Sequence, residues 1–117
     1  MGLCDEILEV DERIRFVAHL DKRMKKVVEM KHRQGVNPLT EESHDTELFF
    51  EIGPSFLETA KRFEEFLGEL VNVRLSYEKV TVIFLKIPEA VLGLSIESGP
   101  VTSVVEKVAE RFKIVSE

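Results

Sequence analysis

Tryptophan is absent from the 117 residues, and cysteine occurs once, at Cys4. One thiol cannot close an internal disulfide or supply a cysteine-based zinc site. A reducing cytoplasm is the compartment that fits such a chain. No apolar run approaches the roughly 20 residues a membrane helix needs, and the opening Met-Gly-Leu-Cys-Asp-Glu is acidic, unlike a secretory leader. No membrane insertion is expected. Basic residues are in the minority, with 16 Lys and Arg against 22 Asp and Glu for a formal charge of -6. Nucleic-acid binding is disfavoured, because phosphate-binding domains carry an excess of Lys and Arg. The six glycines form neither G-x-G-x-x-G nor G-x-x-x-x-G-K-[ST], so no phosphate-cradling loop is expected.

What is present describes an ordinary globular chain. Hydrophobic residues make up 44% and charged residues 32%, enough apolar surface to offset the entropy of ordering. The length predicts a single domain over 1–117, which buries roughly two-thirds of its unfolded surface without disulfide or metal.

The hydrophobic pattern predicts eight elements. Leu3, Ile7 and Leu8 place a short helix over 2–9, with Cys4 as a small packed side chain on its apolar stripe. Ile14, Phe16, Ala18 and Leu20 alternate with Arg13, Arg15, Val17 and His19, which predicts a strand over 13–20. A turn at 21–24 leads to a strand over 25–32, with Val28 and Met30 on one face, so the pair forms a hairpin. Gly35, Asn37 and Pro38 make 33–44 a loop, with a turn at 36–39. A long helix is expected from Asp45 to Leu67, capped by Ser43 or Asp45 and closed by Gly68. Ile52, Phe56, Ala60, Phe63 and Leu67 form its apolar stripe, and Gly53-Pro54 predicts a kink or break near Ile52. Strands over 70–77, 80–87 and 91–96 then form a meander, the last two apolar enough to be buried on both faces. A final helix opens at Ser98-Gly99-Pro100, with Val101, Val104, Val105, Val108, Phe112 and Val115 on one face. The fold class is therefore α+β, in the order αββαβββα.

No catalytic constellation emerges. Gly93-Leu94-Ser95 has half of a nucleophile elbow but lies in a strand, so Ser95 reads as structural. His19, His32 and His44 have no metal-ligand spacing. No cofactor, no metal and no enzymatic activity are expected. Two clusters stand out instead. Phe49, Phe50, Phe56, Phe63 and Phe66 crowd into 18 residues, and one sheet face cannot cover all five. They are candidate interface residues, since exposed aromatic patches mark interaction surfaces. Lys22, Arg23, Lys25, Lys26, Lys31 and Arg33 form a basic run. Three readings stand beside one another: a landing patch for an acidic partner, phosphate or anionic lipid, edge lysines that discourage strand pairing, or pairing with Glu41, Glu42 or Asp45.

This element order resembles the roadblock/dynein light-chain fold of the profilin-like group. The resemblance rests on Ile14-Arg15-Phe16-Val17-Ala18 leading to Asp21, and on the strand triplet after the long helix. Ile14–Val17, Gly35-Val36-Asn37-Pro38-Leu39 and Leu67-Gly68 are also similar to segments of a group of short uncharacterised archaeal proteins. The chain departs from roadblock proteins at Lys22-Arg23-Met24-Lys25, where they usually carry a hairpin glycine, and at Gly53-Pro54. The resemblance implies a five-stranded antiparallel sheet ordered 2-1-5-4-3, with the long helix on one face and the terminal helices on the other. It implies a homodimer through the long helix and the strand at 70–77, which adds Val71, Val73 and Leu75 to the interface candidates. The function implied is a non-enzymatic interaction or regulatory module with a protein partner, as in roadblock scaffolds or small-GTPase regulators. The alternative is a small-molecule sensor, with a pocket between the long helix and the sheet that Gly53-Pro54 would open.

Overall fold

A computed structural model of the chain describes residues 2–21, 23, 26–39, 42–88 and 90–112, with the backbone alone at 42 and 43. Five strands form one antiparallel sheet: β1 (Ile14–Asp21), β2 (Val27–His32), β3 (Asn72–Ser76), β4 (Val80–Ile87) and β5 (Ala90–Glu97). Their order is β2-β1-β5-β4-β3, as the resemblance implies. The eight predicted elements are present in the expected order.

Each face of the sheet carries its own core. On one side, Ile14 and Val17 of β1 join Ile83, Leu85, Leu92, Leu94 and Ile96 of the central strands. The first helix (Leu3–Leu8) and the last (Thr102–Phe112) cover them with Cys4, Ile7, Val104 and Val108. Val115 of the expected stripe lies outside the described residues. Burial, reinforced by Glu29, pushes the Cys4 thiol up to about 12, and a neutral thiol is a poor nucleophile. Iodoacetamide at mildly alkaline pH is expected to leave Cys4 unmodified in the native protein and to alkylate it in denaturant, read by intact mass.

The other side carries Phe16, Ala18, Leu20, Val82, Phe84 and Val91 under a helical rod over 42–67. The rod begins at Glu42, before the expected start, so Asp45 lies within its first turns rather than capping it. It is continuous but not uniformly α-helical. A π turn spans Glu47–Ile52, followed by α-helix Gly53–Ala60, a 3-10 turn at Lys61–Phe63 and a last α turn at Glu64–Leu67. The Gly53 N–H donates to Leu48, five residues back, just before Pro54, which has no N–H to give. The expected break is thus a widened turn, and the chain stays helical through it.

Two bulges shift the hairpin from its expected alternation. Ile14 pairs with Ile96 and Phe16 with the adjacent Ser95, leaving Arg15 as the extra residue. Ile14 and Phe16 therefore face opposite sides of the sheet instead of the same one, and Val17 is buried rather than solvated. On β2, His19 pairs with Glu29 and Leu20 with Val27, so Val28 is skipped and exposed, away from Met30.

Two carboxylates tie the layers together. Asp11 accepts from the Arg13 backbone N–H at 2.8 Å and meets Lys107 at 2.9 Å, fastening the turn before β1 to the last helix. Glu64 accepts from the Leu70 N–H at 2.7 Å and meets Lys86 at 3.6 Å, fastening the rod's end to β4. These bonds hold both carboxyls below their ordinary values of 3.8 and 4.5. A lowered native pKa stabilises above the unfolded value, and that stability is lost as pH falls through the native one. The thermal midpoint is therefore expected to fall with pH below the ordinary carboxylate range. Asp11→Asn should lower it at neutral pH and converge on the wild type in acid. Parallel curves for the two proteins would remove this account.

Candidate functional site

The sheet-facing side of the rod is built from few large residues. Phe49 and Leu57 are buried there, with Gly53 and Pro54 between them. Phe49 stacks between Phe16 and Phe84, at ring-centroid distances of 4.9 and 5.5 Å. Phe49 is 2% exposed and therefore sits in the core, not on a surface. Phe50 is half-buried against the same cluster.

The stripe expected from spacing points the other way. Phe56 is 47% exposed, Phe63 55%, Phe66 75% and Leu67 83%. Ile52 is exposed on the same helical spacing, since residues four and seven apart share a face. These side chains form an apolar ridge on the outside of the molecule. Gly68, at φ 92, turns the chain directly from the end of the ridge toward β3. Val71 is 57% exposed, whereas Val73 and Leu75 are half-buried on the rod-facing side of β3. β3 pairs only with β4 and is an edge of the sheet. Of the eight interface candidates, Phe56, Phe63, Phe66 and Val71 are thus on the surface, Phe50, Val73 and Leu75 are half-buried, and Phe49 is inside.

The basic run does not form one patch. Lys22 and Lys25 lie outside the described residues. Arg33 is turned inward, its Nε donating to Ile14 O at 2.7 Å and its guanidinium to the carbonyls of Asp11, at 2.8 Å, and Leu8. It fastens the end of β2 to the first helix. Lys31 pairs with Asp5 of that helix. Arg23 and Lys26 are exposed. Glu41 and the Glu42 side chain, two of the partners expected for this run, lie outside the described residues. The third expected partner, Asp45, is buried, and its carboxylate lies 3.2 Å from Nε2 of His32, a residue outside the basic run.

A cavity of about 270 Å³ opens beside that pair, between the first turns of the rod and the sheet. Its walls are apolar: Phe16 and Val82 from the sheet, Phe49 from the rod, and Val36, Pro38 and Leu39 from the loop above. The polar lining groups are Arg15, His32, Asp45, Tyr77 and Ser95. Gly53 and Pro54 do not line it. Gly53 lies against Phe84 and Pro54 is buried, so the break expected to open a pocket closes the core. Sequence reasoning missed Arg15, His32 and Asp45 as one group. Arg15 and Asp45 are 30 positions apart, and the bulge that places Arg15 has no Gly or Pro to betray it. Among the described residues, no group of three or more His, Cys, Asp or Glu could hold a metal ion, and no helix is long and apolar enough to cross a membrane.

No protein-family model matches the sequence, and neither does any curated protein. Solved structures do match. The gliding protein MglB from Thermus thermophilus superposes with a TM-score of 0.65, over 96% of this chain and 87% of its own, at 12% identity. MglB in a tetrameric arrangement gives 0.67 over 95% and 85%, at 16% identity. Myxococcus xanthus MglB gives 0.60 over 96% and 93%, at 13% identity. The chain has a roadblock-type fold. At these identities the likeness is one of architecture. In this roadblock-type sheet β2 and β3 are the two edges, and the apolar ridge runs along the rod that leads into β3.

Proposed function

We propose that the protein is a non-enzymatic regulatory module of the cytoplasm. It self-associates through the ridge and β3, and it presents the resulting surface to a protein partner in a small-GTPase system. One observation carries this reading: Phe56, Phe63, Phe66, Leu67 and Val71 are solvent-exposed on the rod and the segment entering an unpaired sheet edge. Large apolar side chains gathered on a surface favour burial against another chain. An open strand edge offers it a row of backbone donors and acceptors. The roadblock resemblance supports the small-GTPase setting, and Ile14–Val17, Gly35–Leu39 and Leu67-Gly68 support kinship with the short archaeal proteins. Size-exclusion chromatography with light scattering should give a dimer at high micromolar concentration. Nucleotide-loaded small GTPases from the same genome should co-elute with it. A strict monomer that retains no GTPase in either nucleotide state would end this reading.

A second reading, small-molecule sensing, is favoured by the cavity between rod and sheet. It is compatible with the first, because the cavity lies at the opposite end of the rod from Phe63 and Phe66.

A further inference from the structure

The cavity's chemistry narrows what would fill it. Arg15 is the extra residue of the β1 bulge, and bulges re-aim side chains. One of its Nη atoms donates to Asn37 O, 2.8 Å away in the loop that roofs the cavity. A guanidinium carries five N–H donors. Among the described residues no carboxylate pairs with Arg15, and it is half-buried beside apolar walls. A cation in such surroundings gains from an anion that enters with it, and the guanidinium fork matches a carboxylate.

The other charged groups limit the ligand's charge. Asp45 lines the same cavity and is engaged with His32. A second negative charge on the ligand would be repelled by that carboxylate, so a monoanion is favoured over a phosphate dianion. The remaining walls are aromatic and aliphatic, with Phe16 from the sheet, Phe49 from the rod and Leu39 from the loop. At about 270 Å³, the cavity is below the roughly 300–1,000 Å³ of drug-sized sites. A flavin or dinucleotide would extend well beyond it. One ring or short alkyl chain with an acid arm is the right size.

We propose that this cavity binds a small monocarboxylate with an apolar body, its carboxylate held by Arg15 and its body packed against Phe16, Phe49 and Leu39. The inference rests on the second, sensing reading and is independent of self-association. The test is calorimetric titration of the full chain with 3-phenylpropionate and with its neutral amide, 3-phenylpropanamide. The acid is expected to bind roughly tenfold or more tightly than the amide, the scale of one hydrogen bond to a charged group. Arg15→Gln, which keeps a donor for Asn37, should erase that preference, and Arg15→Lys should restore part of it. Should these variants fail to fold, wild-type amide and methyl NMR shifts decide, and the acid should perturb Phe16, His32, Leu39 and Val82 selectively. Equal binding of acid and amide would overturn the carboxylate assignment while leaving a sensing pocket. Failure of both to bind at millimolar concentration would overturn the assignment and count against the sensing reading as well.

Discussion

Gly53→Ala is expected to lower the thermal midpoint by about 8 °C. Helix propensity alone predicts the opposite, since alanine in place of glycine gains about 1 kcal/mol in a helix interior. Space decides the sign. Gly53 has ordinary helical angles, so it is not there for backbone freedom. A methyl group on it would lie 2.1 Å from Phe84 Cζ and 2.2 Å from Cε1, far inside van der Waals contact. Phe84 is fully buried and packed against Phe49, so a shift of its ring would disturb the core around it. Overpacking of this kind costs about 3 kcal/mol, which leaves a net loss of about 2 kcal/mol. At about 4 °C per kcal/mol for a chain of this length, the shift follows. Gly93→Ala should behave alike, because its methyl would lie 2.5 Å from Phe49 Cδ1. Gly35 offers a contrast, with φ 85 and open space around its Cβ position, so alanine there should cost only about 1 kcal/mol of local strain. A Gly53→Ala protein as stable as the wild type would mean that the rod does not rest on Phe84.

Phe66→Glu should convert the proposed dimer to monomer, raising its dissociation constant roughly a hundredfold. Truncating or charging a central aromatic anchor costs about 2 kcal/mol or more at typical interfaces, and about 2.8 kcal/mol is a hundredfold. The monomer should melt within about 0.5 kcal/mol of its former stability, as exposed substitutions do. Phe50→Glu should give a different result. Phe50 is half-buried against the Phe16–Phe49–Phe84 cluster, so a carboxylate there desolvates without a partner and should destabilise the fold itself. Light scattering at several concentrations, paired with thermal melts, separates the two effects. Loss of folding in Phe66→Glu would place that ring in the core. An unchanged dimer would exclude the ridge as the interface.

The order of elements and the sheet's central strands were legible because their signals are local. β4 and β5 are apolar on both faces, and both are interior strands buried on both sides. The rod's orientation was not legible in the same way. Its strongest stripe, Ile52 through Leu67, faces solvent, while the inward face is held by Phe49, Gly53, Pro54 and Leu57. Glycine adds nothing to a hydrophobic pattern, yet its smallness is what lets the rod approach Phe84. The basic run misled for a related reason. Charge density along the sequence does not tell that Arg33 turns inward to three backbone carbonyls. The Arg15–His32–Asp45 grouping joins two strands and the rod's first turns, so no single window of sequence contains it.

The bulge at Arg15 has one further consequence. Ile14 serves the layer under the terminal helices and Phe16 serves the layer under the rod, because one surplus residue stands between them. Deleting any single residue there would exchange the loyalties of everything upstream, sending greasy groups to water and charged ones into the interior. The number of residues in this stretch is therefore fixed by the two cores, independently of what the side chain at position 15 does in the cavity.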